Sequence, residues 1–260
     1  MPAIRPTAVA GSFYSADAAV LRAEIDDLLG STVSAAIAPV PKALIAPHAA
    51  GYRRLAPARE RIMRVVLFGP SHFVGFDGLA ASSAEDWQTP LGSVPVDRPM
   101  VERLINAKLI GVLDAAHAQE HSLEVHLPFL QVALDEFALV PIVAGDASPQ
   151  AVVALLDAVW AGPETLIVVS TDLSHYLDYR SCQATDRQTA AAIERLDPGG
   201  LGPRSACGRV PVRGLLAVAK RRGMSIVRLD LRNSGDTAGP RDRVVGYGSW
   251  ALFEPAGQQP

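Results

Sequence analysis

The stretch Leu166-Ile167-Val168-Val169-Ser170-Thr171-Asp172-Leu173-Ser174-His175 decides the fold. A short unbroken apolar run bounded by turn residues reads as a strand covered on both faces, the habit of parallel sheets. Here the run ends in a small polar turn and an imidazole. The same construction occurs twice more. Ala43-Leu44-Ile45-Ala46 runs into Pro47-His48, and Arg64-Val65-Val66-Leu67-Phe68 runs into Gly69-Pro70-Ser71-His72. In an open α/β sheet, ligands bind outside the carboxyl ends of the strands. Three histidines delivered there point to one shared object, and neutral imidazole is the commonest metal ligand. A metal ion is the expected occupant.

Outward from these strands the pattern keeps alternating. Helical spacing of apolar residues predicts helices over 16–29, 98–108, 122–134 (interrupted near Pro128), 149–160, 179–196 and 210–222. Asp17 is placed to cap the first, and Lys220-Arg221-Arg222 to complement the dipole at the end of the last. Strands are expected at 79–81, around 92–96, and at 139–143, 225–232 and 244–253. Strand–helix alternation without a long polar linker implies a single α/β domain over 1–254, with a central mixed, mostly parallel sheet and helices on both faces. Residues 255–260 read as a disordered tail.

Composition narrows the function. Hydrophobic residues make up 49% of the 260, and the net charge is −3 with no basic run to track a phosphate backbone, so nucleic acid is not an expected partner. The two cysteines, Cys182 and Cys207, make no disulfide framework and suit a reducing compartment. With neither a signal-peptide pattern nor an apolar run of membrane length, the chain reads as cytoplasmic and not membrane-bound.

Several side chains carry chemistry. His48 and His72 follow strands and are paired candidates for a metal site. Asp172 and His175, three apart, share one side of a turn, Asp172 as base or imidazole partner and His175 as a proton donor. The competing reading makes Ser170, Thr171 or Asp172 a helix cap. Cys207 precedes the apolar helix from Val210. A helix N-terminus lowers a thiol pKa and suits a ligand or nucleophile, while a small buried hydrophobe fits the local sequence equally well. In Glu120-His121-Ser122-Leu123-Glu124-Val125-His126, the residues His121, Glu124 and His126 are expected to contact substrate or support the ligands. Cys182 reads as structural, and His117 as a surface residue.

These pieces, in this order, resemble the MEMO family, whose prokaryotic members are called AmmeMemoRadiSam system protein B. The resemblance rests on Arg5-Pro6, Val9-Ala10-Gly11-Ser12-Phe13-Tyr14, Ala46-Pro47-His48-Ala49, Gly69-Pro70-Ser71-His72 and the block from Pro90 to Asp97. It continues through Glu120 to Leu130, Ser170 to Tyr176, Cys207-Gly208 and Gly246-Tyr247-Gly248-Ser249. It implies a fold like that of the class III extradiol (LigB-like) dioxygenases, which are non-haem iron enzymes. It also implies that His48, His72 and Cys207 hold the metal, with Asp172 and His175 lining the same pocket. Iron (Fe2+) is the implied cofactor, with copper or zinc as alternatives. The chain departs from the family pattern after His48, where Ala49-Ala50-Gly51-Tyr52 replaces the usual continuation, so Tyr52 is not assigned to the site.

Three functions follow from the resemblance. The first is an oxygen-dependent or redox enzyme acting on a small molecule or peptide. The second is a non-enzymatic module recognising a (phospho)peptide in a relic pocket, since the human relative is described as recognising phosphotyrosine peptides. Arg209, Arg213 and Arg53-Arg54 are its candidate cations. The third is membership of a modification pathway with radical SAM and AMMECR-like protein partners.

Overall fold

The structure, a computed structural model, describes residues 3–30, 40–47, 52–237 and 239–255. His48 lies outside them, as do the residues of the expected tail from 256 onward.

The chain begins with β1 (Ile4–Arg5), which joins β5 (Asp86–Thr89) and β6 (Gly92–Pro95) in a small three-stranded sheet. A nine-stranded mixed sheet forms the middle of the molecule. Its centre is four parallel strands in the order β2 (Ala43–Ala46), β9 (Thr165–Ser170), β3 (Arg64–Pro70) and β8 (Ala138–Ala144). Beyond β8 lie antiparallel β4 (Leu79–Ala81) and then β7 (Gly111–Val112). On the other side β12 (Val244–Phe253) runs antiparallel to β2, and both β10 (His175–Leu177) and β11 (Ser225–Asn233) pair with β12. Every residue of β2 and β9 is buried, which is why these strands read as continuous apolar runs.

Helices α1 (Ala18–Gly30), α2 (Arg98–Asn106), α3 (Asp114–Ala118), α4 (His121–Glu124) and α5 (Leu127–Ala133) precede or bracket β8, and α6 (Pro149–Val159), α7 (Tyr179–Glu194) and α8 (Arg209–Arg221) follow. They flank the large sheet around one hydrophobic core that runs from Leu21 to Phe253, so the molecule is a single α/β domain. Among the described residues no helix is long and apolar enough to cross a membrane. Helix starts follow the capping rules: Asp17 accepts from the amides of Ala19 and Val20, Ser148 precedes Pro149, and Asp178 caps α7.

Three local expectations change, and one segment without an expectation takes shape. The break in 122–134 falls at Val125–His126, and Pro128 sits inside the first turn of α5, where a missing N–H removes no helical bond. No helix follows Ser170, so the capping alternative for 170–172 gives way to a turn that leads into β10. His117 is not a surface residue: it is 1% exposed, donates from Nε2 to the Ala80 carbonyl at 3.1 Å, and meets Trp87 edge-on. The segment after the undescribed residues forms a 3-10 helix, Tyr52–Ala58.

Register positions the site. Ala46 lies opposite Ser170, and Phe68 opposite Val169, so the carboxyl ends of β2, β9 and β3 finish side by side. The strand ends predicted to deliver histidines are therefore neighbours in the sheet.

Candidate metal centre

His72 leaves the end of β3 and is fixed by Glu120. The Glu120 carboxylate accepts the His72 backbone amide at 2.6 Å, the His72 Nδ1 proton at 2.8 Å and the Ser122 amide at 2.9 Å. Because the carboxylate only accepts here, Nδ1 carries the proton and Nε2 is left as the donor atom for a ligand. This carboxylate–imidazole arrangement is the one that orients metal-binding histidines. Gly69 makes it possible. A Cβ there would stand 2.4 Å from Ser122 Oγ and 2.8 Å from a methyl of Leu123, so only glycine lets α4 approach the end of β3. Ser122 Oγ then donates to the Pro70 carbonyl at 2.9 Å, holding the two segments together.

Cys207 reaches the same place from the loop before α8. Its Sγ accepts the Asp172 amide at 3.1 Å, while its own amide donates to the Asp172 carbonyl at 3.2 Å. Next door, the Gly208 amide donates to Thr171 Oγ1 at 2.9 Å. Gly208 has no room for a side chain, since a Cβ would lie 2.4 Å from the Ser170 carbonyl oxygen. The Cys207 sulfur lies close enough to the His72 imidazole to act on its protonation. That sulfur first, and Glu120 next, hold the imidazole pKa up at about 10 against the opposing effect of burial. Glu120 shows the converse: burial alone would raise it, and the His72 ring, the His72 amide and the Ser122 amide together hold it well below the usual carboxyl range.

Asp172 and His175 lie on the turn between β9 and β10. His175 Nδ1 donates to the Leu173 carbonyl at 2.9 Å, and Nε2 lies 3.8 Å from Asp172 Oδ2. A main-chain carbonyl, not Asp172, therefore orients this ring, and in the neutral ring Nε2 is an acceptor. Tyr247 joins from β12: burial, and then the charge of nearby Asp172, push its phenol up. The turn itself is held from behind. Buried Asp186 accepts the Ser174 amide at 3.0 Å, and buried Cys182 donates to its other oxygen at 3.0 Å. Burial leads the causes that raise the Cys182 thiol to about 12, in keeping with a structural role.

The remaining sequence candidates separate. His121 stacks on His72 with ring centroids 4.6 Å apart and planes 13° apart, packs against the rings of Phe13 and Phe73, and has its Nδ1 3.6 Å from Glu120 Oε1. Donor atoms of His72, Glu120 and His121 all lie within 4.8 Å of one another. However, nearly parallel stacked rings aim their in-plane lone pairs alongside each other, and they do not converge on one ion. His126 is fully buried and hydrogen-bonds through Nδ1 to the hydroxyl of buried Tyr52. Glu124 faces the opposite way. Its carboxylate takes Arg5 Nη1, the Ala8 amide at 2.8 Å, the Val9 amide at 3.0 Å and the Tyr14 hydroxyl at 2.6 Å, which fills its acceptor sites. It holds the N-terminal segment that lays Phe13 against His121. Arg213 donates to the Pro198 carbonyl at 3.0 Å.

Two clefts open on Cys207. One, of about 530 Å³, runs past Ser71, Phe76, Asp77, Asp146 and Arg209. The other, of about 470 Å³, runs past Leu173, His175, Leu177, Thr185 and Arg204. Sequence reasoning assigned no role to Glu120, Tyr247 or Arg204. Glutamate is not among the favoured helix-capping residues, so its place before α4 was the one available sign that Glu120 serves something else.

The donors present suit a first-row metal. An imidazole with a fixed tautomer and a thiol close to it form a nitrogen–sulfur set that iron, copper and zinc all accept.

Comparison with known sequences agrees with this architecture. The family described as Memo-like protein matches residues 5–251. A MEMO1 family protein of Saccharolobus solfataricus is 31% identical over 94% of this chain and 97% of its own length. One of Aquifex aeolicus is 34% identical with the same coverage, 94% and 97%. One of Metallosphaera sedula is 30% identical, again over 94% and 97%.

Proposed function

Starting from the fact that this chain belongs to the Memo-like family, we propose that it is a metal-dependent redox protein, a non-haem iron or copper enzyme whose ligands are His48, His72 and Cys207. The observation that supports this reading best is the clamp of Glu120 on the His72 amide and Nδ1, which leaves Nε2 of that ring as the donor atom on the side where Cys207 acts on it. A bound iron(II) or copper supplies the electron-transfer and oxygen chemistry that side chains lack; zinc would favour hydrolysis instead.

The chain's own residues do the rest. Glu120 keeps His72 Nδ1 protonated and Nε2 available. The Asp172 amide and the Thr171–Gly208 bond hold the cysteine loop in place. His175 Nε2 takes the proton from a substrate hydroxyl, and Asp172 Oδ2, 3.8 Å away, stabilises the imidazolium that results. Family resemblance alone adds the expectation that the protein works beside radical SAM and AMMECR-like partners. The two separate clefts are of small-molecule size, which favours an enzyme over a peptide-recognition module.

Elemental analysis of anaerobically purified protein tests the reading. The expected result is about one iron or copper per chain, lost in Cys207→Ala and His72→Ala and kept in His175→Gln. Unchanged metal content in Cys207→Ala would rule out the proposed ligand set.

A further inference from the structure

The two clefts that meet at Cys207 differ in charge. In the larger one, Arg209 is accompanied by Asp77 and Asp146. The smaller one has a single formally charged side chain along its walls, Arg204, and no carboxylate. Arg204 is exposed and makes no ion pair or side-chain hydrogen bond among the described residues. Its lining includes the apolar residues Leu173, Leu177, Pro203 and Ala206, together with Ser181 and Thr185, one turn apart on α7. His175 also lines this cleft, with Nδ1 committed to the Leu173 carbonyl and Nε2 an acceptor.

We propose that this cleft binds a small aliphatic carboxylic acid that also bears a hydroxyl group. The carboxylate pairs with Arg204, whose planar guanidinium matches it with two parallel hydrogen bonds. The carbon chain lies along Leu173 and Leu177, and the hydroxyl donates to His175 Nε2. The reverse orientation is disfavoured, because Asp172 Oδ2 stands 3.8 Å from Nε2 and would repel a carboxylate at that end. An aliphatic body follows from the lining, which offers no ring for stacking except His175. A volume of about 470 Å³ suits a small molecule and not a polypeptide. The inference rests on the proposed reading only for what happens at the hydroxyl; binding of the acid needs no metal.

Calorimetric titration of metal-free protein with ω-hydroxycaproate, caproate and hexanediol tests it. The expected order is ω-hydroxycaproate tightest, with about a tenfold advantage over hexanediol, which corresponds to about 1.4 kcal/mol. Arg204→Gln should abolish that advantage, and Arg209→Gln should preserve it. Equal affinity for acid and diol, survival of the preference in Arg204→Gln, or no binding of the acid at millimolar concentration would each overturn the proposal. The His72→Ala variant separates the two claims: it should lose metal yet keep the preference for the acid, so a failed metal centre and a failed acid site give different results.

Discussion

Glu120 and Glu124 stand about one helical turn apart on one short segment, and both are fully buried, yet they serve opposite halves of the molecule. Glu120 turns to the end of β3 and binds His72 through ring and backbone. Glu124 turns to the N-terminal segment and binds Arg5, two amides and Tyr14. The contrast teaches that a buried carboxylate takes its role from whatever donors the neighbouring element brings. One glutamate prepares a ligand. The other fastens a segment whose Phe13 then packs on His121. Burial leads the causes that raise the Tyr14 phenol, followed by its bond to Glu124, so this hydroxyl stays a donor.

Removing the charge on each side separates the two roles, and the largest effect is expected at Glu124. Glu124→Gln leaves the Arg5 guanidinium, itself 4% exposed, without its counter-charge. Breaking a buried pair in this way costs about 3–5 kcal/mol. Chemical denaturation should show that loss, while metal bound per folded molecule stays unchanged. Glu120→Gln should invert the pattern. Loss of the group that orients a metal-binding histidine lowers affinity about 10–100-fold, measurable by competition with a chelator, and stability should change far less than in Glu124→Gln. Equal stability losses in the two variants would erase the distinction.

Acid and alkali sharpen the same comparison, with a smaller effect. On the Glu120 side, the His72 pKa is raised from 6.5 to about 10. In metal-free protein its contribution to stability is complete below 6.5 and is lost as pH rises through about 10. For metal uptake that proton must leave, and cysteine ligates as thiolate, so near pH ~7 at least one proton should be released per metal, and affinity should rise at least about tenfold per pH unit up to the His72 pKa. Calorimetry in buffers of different ionisation enthalpy measures this release. On the Glu124 side, His117 accepts Arg5 Nε at its carbonyl at 3.0 Å, and burial lowers its imidazole pKa from 6.5 to about 4. Its contribution is complete above 6.5 and is lost as pH falls through about 4. Acid should therefore weaken the Arg5 half first and alkali the His72 half. A stability profile that falls only on the alkaline side would contradict the assignment.

Much of the fold was legible from local signals. The three strand-then-turn runs became β2, β3 and β9 because a continuous apolar run can only be satisfied between two covered faces. The cap at Asp17 followed from a side-chain oxygen placed before helical periodicity. The misreadings have a common cause. Local sequence has no term for what packs from elsewhere: His117 reads as solvent-facing until Trp87 and Ala80 close over it. His121 and His126 read alike in sequence, but one stacks at the mouth of the site and the other is buried against Tyr52. Glu120 was visible as part of a polar cluster, but its target, His72, lies in another element.

By itself the sequence determined the element types, the parallel core and the delivery of polar turns to strand ends, because periodicity and capping act over a few residues. Tertiary structure alone decided which partners meet. The Cys207 loop can close on Asp172 only because Gly208 leaves space beside Ser170, and α4 can offer Glu120 to His72 only because Gly69 leaves space beside Ser122. Both are close approaches between segments far apart in the chain, set by steric room and hydrogen-bond complementarity that appear only once the sheet has assembled.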